Sequence, residues 1–305
     1  MKPEPIHRVG ATRPSGWRLW WAAARPRTLT IAVTPVLLGC ALAHVGGAPL
    51  DWMVALTTLA CALAIQIGTN LHNDSADFMR GNDRAERIGP LRVTAAGWAR
   101  PDQVKHAAMA AFAAALALGT LLVVKGDWPI LLLGLAALFA GWAYSGGPRP
   151  ISHSALGELF VLFFFGIAAV AGSHYLQSGL LSPVALLAGA AVGSMAAAVL
   201  LVNNFRDRVE DTAAGRRTLA ARLGPPGARR AYAAMVLLPF LVPPLLVGLG
   251  ALPPGGLAAY LALPQAIALS RSLGETDGIA LNPILARTAL TQFFFGLLLA
   301  IGISL

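Results

Sequence analysis

The stretch WMVALTTLACALAIQIGTNLHNDSAD, residues 52–77, runs from an apolar segment straight into asparagine and aspartate. Its apolar part, 52–71, has the length at which a helix crosses a bilayer, about 20 residues. The continuation Asn70–Asp83 then holds three aspartates and three asparagines. Acidic residues are costly at membrane depth, so a carboxylate cluster joined directly to a span points to function.

The rest of the chain is of the same kind. Of 305 residues, 56% are hydrophobic and 12% charged, whereas soluble domains carry roughly 25% charged residues. The chain reads as an integral membrane protein. Its net charge is +9, but the apolar runs leave little soluble surface for nucleic acid, and none is expected as a partner. The positive charge marks the cytoplasmic face instead. Cys40 and Cys61 both fall in apolar runs and read as inert buried thiols. The first apolar run begins near Thr28 without a cleavage site, so it reads as a retained span.

Nine stretches have the composition of membrane helices: 28–45, 52–71, 104–124, 128–145, 156–176, 183–203, 229–249, 254–271 and 286–305. Pro243, Pro244 and Pro264 interrupt the seventh and eighth, which a membrane helix tolerates when neighbours satisfy the freed backbone groups. With these spans, 22 of the 23 Lys and Arg fall on one side, and Lys125 alone on the other. This partition places the N-terminus and the loops after spans 2, 4, 6 and 8 in the cytoplasm, and the C-terminus on the opposite side. Residues 1–27 are expected as a cytoplasmic N-terminal segment and 28–305 as one membrane-embedded domain. Asn70-x-x-x-Asp74 and Asn203-x-x-x-Asp207 follow spans four apart in the same orientation, the pattern of a parallel repeat with a site between its halves.

The two polar segments carry the chemistry. Asp74 and Asp77, like Asp207 and Asp211, stand three or four residues apart, a spacing that puts both carboxylates on one helix face. Like charges so placed repel unless a cation joins them. Hard carboxylate oxygens suit Mg²⁺, which also binds substrate phosphates. Arg92, Arg206, Arg216 and Arg217 flank the clusters, and an arginine fork matches phosphate oxygens. Either cluster alone is equally consistent with a solvated, salt-bridged loop; two of them at cytoplasmic ends favour a site. Asp83 need not share the helix of Asp77. His72 reads as a local hydrogen-bonding residue, and Glu158 as a helix N-terminal charge or a site residue. Gly146-Gly147-Pro148 ends span 4 sharply and puts Tyr144 and Arg149 at the cytoplasmic mouth. Phe163–Phe165 and Phe293–Phe295 read as packing or lipid-facing residues, or as a wall for an isoprenoid tail.

With these motifs the chain resembles the UbiA superfamily of intramembrane prenyltransferases. The resemblance rests on Arg25-Pro26-Arg27-Thr28-Leu29, on Asn70-x-x-Asn73-Asp74-x-x-Asp77 running to Gly81-x-Asp83, and on Arg87-x-Gly89-Pro90-x-Arg92. It continues through Tyr144-Ser145-Gly146-Gly147-Pro148 and Gly157-Glu158-Leu159-Phe160-Val161, which leads to Phe164-Phe165-Gly166. It ends on Asn203-Asn204-x-Arg206-Asp207-x-x-x-Asp211 and Gly215–Ala220. Gly-x-Asp, Gly-Pro-x-Arg and GELFV point to the branch that prenylates 1,4-dihydroxy-2-naphthoate in menaquinone synthesis.

The resemblance implies an all-α integral membrane fold of nine transmembrane helices around a central cavity. A cytoplasmic cap would be formed by the loops after helices 2 and 6. It implies that Asp74, Asp77, Asp207 and Asp211 hold Mg²⁺ and are catalytic. Substrate would be bound by Arg25, Asn70, Asn73, Asp83, Arg92, Tyr144, Arg149, Asn203, Arg206 and Arg216. The implied substrates are a polyprenyl diphosphate and an aromatic acceptor, joined with loss of CO₂ to give demethylmenaquinone in the cell inner membrane. Arg216 stands where the family would have Lys, and His153 where it would more often have Tyr. Other acceptors (4-hydroxybenzoate, homogentisate, haem or a lipid) and a cation-coupled transporter are the alternatives. The transporter is disfavoured because 8 of the 14 acidic residues lie in two cytoplasmic loops rather than near mid-membrane.

Overall fold

The computed structural model describes residues 13–81, 89 and 92–305, so Asp83, Arg84, Arg87 and Pro90 lie outside the described residues. Among the described residues every regular element is helical. Among these residues seven helices are long and apolar enough to cross a membrane, against nine stretches expected.

The chain enters through α1 (Trp17–Ala24) and α2 (Pro26–Val45). Arg25 joins them in the left-handed region, φ 56°, which a non-glycine residue adopts only when its surroundings hold it there. Pro26 then opens α2 at the position where a missing N–H costs nothing. α1 belongs to the expected N-terminal segment, yet it packs into the membrane domain: Leu19 and Ala23 are buried with Leu71, Val93 and Val104.

α3 spans Trp52–Met79, started by the Asp51 side chain accepting the Val54 N–H at 3.1 Å. Its 28 residues extend about 42 Å, against a hydrocarbon core of roughly 30 Å. The helix therefore outruns its apolar part, and the Asn70–Asp77 motif forms its last turns rather than opening a loop.

α4 (Pro101–Ser145) contains the third and fourth expected spans. It breaks at Asp127, φ 52°, just before Pro129, whose ring cannot continue the ladder. The limbs fold back on each other, because a methyl group at Gly141 would sit 3.3 Å from the Phe112 ring, and these positions lie symmetrically about the break.

α5 (Gly157–Ser178) crosses with a π-helical stretch at Phe163–Ala168. α6 (Pro183–Arg206) is the most enclosed span, capped by Ser182 and followed by the short α7 (Arg208–Ala213). α5 and α6 touch backbone to backbone at Gly166, Gly189 and Gly193, the small-residue contact that lets membrane helices pack closely. α8 (Leu219–Gly248) is bent at Gly224 and at its prolines. The eighth expected span, 254–271, forms a tight 3₁₀ stretch, Pro254–Ala262, and α9, Leu263–Glu275, and it is absent from the seven. α10 (Leu281–Ser304) closes the chain. Leu38, Val192, Phe205, Tyr232, Phe295 and Leu299, from α2, α6, α8 and α10, share the main core.

Candidate active site

The helices surround an apolar cavity of about 700 Å³. Its wall is built from Ile65, Leu122, Leu138, Phe164, Phe165 and Val199. The π turn raises the local number of residues per turn, and Phe160, Phe164 and Phe165 all face this space. A second cavity of about 50 Å³ is lined by Asp77, Asp207, Glu210, Asp211 and Arg216. Asn73, Arg92, Tyr144 and Asn203 line both. An apolar chamber thus opens directly into a small charged one.

Asp74 and Asp77 do not converge, although they stand three apart on α3. Asp74 Oδ2 accepts the Val93 N–H at 3.0 Å, and Oδ1 accepts the Thr94 N–H at 3.3 Å and the Thr94 hydroxyl. It lines the apolar cavity but not the charged one. Its carboxylate fastens the turn that presents Arg92. Asparagine at this position keeps one acceptor and loses the charge. Hydrogen bonds to charged groups contribute about 1.5–3 kcal/mol. Asp74→Asn is therefore expected to speed amide exchange at Val93 and Thr94 roughly tenfold to a hundredfold. Unchanged exchange would show that the turn holds itself.

Asp77, 3% exposed, faces the charged cavity. Arg92 donates to its Oδ2 at 2.6 Å and Arg216 to its Oδ1 at 3.1 Å. His153 Nε2 stands 3.9 Å from Oδ1. The second motif begins where α6 ends. Arg206 grips Asp207 with both prongs, at 2.6 and 2.7 Å, and also donates to Asn203 and Asn282 at 2.8 Å. Asp211 accepts from Arg216 at 3.4 Å. One guanidinium therefore bridges the two motifs.

Other expected residues are placed differently. Asn70 donates to the Ala24 carbonyl at 3.0 Å and holds the end of α1. Arg25 lines the apolar cavity. Arg149 is exposed and lines neither cavity, because Arg80 clamps the Ser145 and Gly147 carbonyls and the turn carries Arg149 outward. His72 was expected to bond locally, but among the described residues neither ring nitrogen has a hydrogen-bond partner. Glu158 is buried and accepts from Asn204 at 2.9 Å, behind the charged cavity. Thr94 and Asn282 were not foreseen; each is an unremarked polar residue whose partner lies far away in sequence.

Among the described residues no three His, Cys, Asp or Glu side chains are gathered to hold a metal by themselves. Four converging aspartates were expected. Instead Asp74 is taken up by backbone, and arginines stand against the other three.

The chain belongs to the UbiA prenyltransferase family, whose model matches residues 32–278. It is a multi-pass, all-helical membrane protein of that family. It is 33% identical to the 1,4-dihydroxy-2-naphthoate octaprenyltransferase of Bacillus subtilis (strain 168), covering 96% of each chain. It is 36% identical to the Escherichia coli (strain K12) enzyme of the same name, covering 94% of this chain and 95% of that one. Its fold matches a UbiA homolog from Archaeoglobus fulgidus solved bound to DMAPP and Mg²⁺. That match has a TM-score of 0.59 and 15% identity, and covers 92% of this chain and 99% of the other.

Proposed function

We propose that this prenyltransferase moves a polyprenyl group from a polyprenyl diphosphate to 1,4-dihydroxy-2-naphthoate, with loss of CO₂, giving demethylmenaquinone after oxidation of the product. The observation that carries the reading is the junction of the two cavities. A substrate with an anionic head on a long apolar tail needs a charged pocket opening into an apolar chamber, and Asn73, Arg92, Tyr144 and Asn203 line both. The names of the full-length relatives supply the acceptor.

The charged cavity suits Mg²⁺ by its donors, which are hard oxygens. Asp77, Asp207 and Asp211 face it, and the buried Asn73 Oδ1 has no hydrogen-bond partner among the described residues. These four side chains would hold the metal, with Asp83 as a further contact. Bound there, Mg²⁺ neutralises charge on the leaving diphosphate.

The remaining steps belong to the chain and its substrates. Arg92, Arg206 and Arg216 bind the diphosphate, and Arg25 faces the first part of the tail. As the diphosphate leaves with the C–O bonding pair, an allylic cation remains on the first carbon. Phe160 and Phe164, with ring centroids 5.8 Å apart, line this path and offer π systems to the cation, and the apolar wall keeps water from it. The ring carbon bearing the carboxylate attacks. Carbon dioxide then departs, and its former bonding pair restores the aromatic ring, so no external base is consumed.

The same reading places nine helices in the membrane, counting the two limbs of α4 separately and adding 254–275. It puts the acidic motifs and their cap on the cytoplasmic side of the inner membrane. Residues 28–305 form one domain that α1 completes.

The test is a turnover assay on detergent-solubilised protein with Mg²⁺, a polyprenyl diphosphate and either 1,4-dihydroxy-2-naphthoate or 4-hydroxybenzoate. Prenylated product and CO₂ are expected from the naphthoate. Product from 4-hydroxybenzoate alone would overturn the acceptor, and product from neither, in folded protein, would overturn the reaction.

A further inference from the structure

Arg216, which lines the charged cavity, differs from Arg206, which lines the apolar one. Arg206 is anchored: a two-pronged grip on Asp207 and bonds to Asn203 and Asn282 take four N–H groups of its guanidinium and leave one for phosphate. Arg216 holds Asp77 at 3.1 Å and Asp211 at 3.4 Å by one nitrogen each, across the two halves of the chain. These are long, single contacts, weaker than a charge-assisted fork. Its Nε–H is buried and has no acceptor among the described residues. On the facing wall, the buried Asn73 Oδ1 has no donor. The cavity therefore holds a spare donor that suits an anion and a spare acceptor that suits a cation, with a guanidinium between two carboxylates. Gly215, φ 74°, forms the tight turn that aims Arg216 inward, while its neighbour Arg217 is exposed.

We propose that Arg216 is a resident counter-cation: it joins the two acidic motifs before loading, yields Asp77 and Asp211 to the metal, and turns its guanidinium to the diphosphate. The inference rests on the metal–diphosphate reading of the site. Its physical basis is competition. A guanidinium and a divalent cation cannot both neutralise the same two oxygens, so a metal arriving alone must displace Arg216 without reward. A diphosphate arriving with the metal gives Arg216 another anion, and the two ligands bind as a pair. Donors spread over three nitrogens of a rigid plane, two toward the carboxylates and one left for phosphate, are what arginine has and the single ammonium of lysine lacks. The arginine in this chain, where the family would have lysine, thereby gains a bridging role.

The test measures Mn²⁺ binding by electron paramagnetic resonance on the purified full chain, with and without geranyl S-thiolodiphosphate. Without the diphosphate analogue, Arg216→Gln is expected to bind Mn²⁺ about fivefold or more tighter than wild type, within the usual range of coupling between sites. Arg216→Lys, which keeps the charge but cannot bridge, is expected to tighten it too. Arg217→Gln removes the same charge next door and controls for bulk electrostatics; it is expected to change affinity less than about twofold. With Mn²⁺ present, Arg216→Gln is expected to weaken binding of the analogue about tenfold, the loss of one charge-assisted contact. Equal effects of Arg216→Gln and Arg217→Gln, or weaker Mn²⁺ binding by Arg216→Gln, would overturn the proposal and leave the site reading intact. Wild type that binds no Mn²⁺ even with the analogue would overturn the site reading itself.

Discussion

Asp77→Ala is expected to lower prenyl transfer by at least about 10³-fold, the scale of losing a group that stabilises charge in the transition state. Asp77 joins Arg92 of the first polar segment to Arg216 of the second. It is 3% exposed, takes Arg92 at 2.6 Å and Arg216 at 3.1 Å, and faces the cavity that Asp207 and Asp211 also line. Its removal deletes an oxygen donor and leaves two enclosed guanidiniums short of their shared counter-charge. Breaking a buried pair in this way costs about 3–5 kcal/mol of stability, so inactivity alone would be ambiguous. The double variant Asp77→Asn/Arg92→Gln separates the two effects, because it removes one charge of each sign. Its thermal unfolding is expected to return most of the way to wild type while turnover stays lost. If turnover returned with stability, Asp77 would be a structural counter-ion and no part of the chemistry.

The second large effect lies far from the acidic motifs. A methyl group on Gly193 would overlap the Leu162 carbonyl oxygen and stand 2.9 Å from the Gly166 Cα. These are backbone atoms, which cannot rotate away. Gly193→Val therefore pushes α5 from α6, at a cost of about 3 kcal/mol or more. It is expected to lower the melting temperature in detergent and to abolish turnover, although Gly193 lies about 15 Å along α6 from Asn203. The path is steric: α5 carries Phe160, Phe164 and Phe165, so its displacement reshapes the wall of the apolar cavity. Gly248→Ala is the control, since nothing lies within 4 Å of the added methyl group and alanine favours helix. A Gly193→Val protein with wild-type stability would show that the two helices have slack at this contact.

Much of this was readable in the chain itself, because some constraints are local. Apolar runs of bilayer length set the helices, the Lys/Arg partition suggested their orientation, and Asn70–Asp77 and Asn203–Asp211 marked where charge meets the apolar wall. The gap between the apolar stretches 104–124 and 128–145 marked where α4 reverses. The family motifs supplied the class of reaction. Periodicity also showed that Asp74 and Asp77 share a side of α3, and there it misled. Two residues three apart share a face only to within an arc, and the turn at Val93–Thr94 enters that arc and claims Asp74. The eighth span also looks different once folded, since residues 254–262 have the composition of a membrane helix but wind as a 3₁₀ stretch and so fall outside the seven long apolar helices.

Tertiary structure decided which charge meets which. Nothing in residues 206–216 says that Arg206 turns to Asn282 while Arg216 reaches across to Asp77, because those partners lie 76 and 139 residues away and meet only in the folded chain. The apolar cavity has the same origin. Its volume is what remains once glycine contacts fix the helix spacing, and no single segment encodes it. Sequence determined the elements, their polarity and the chemical groups at their ends. The packing of those elements determined which of the groups face one another, since distance and direction between helices exist only after the chain has folded.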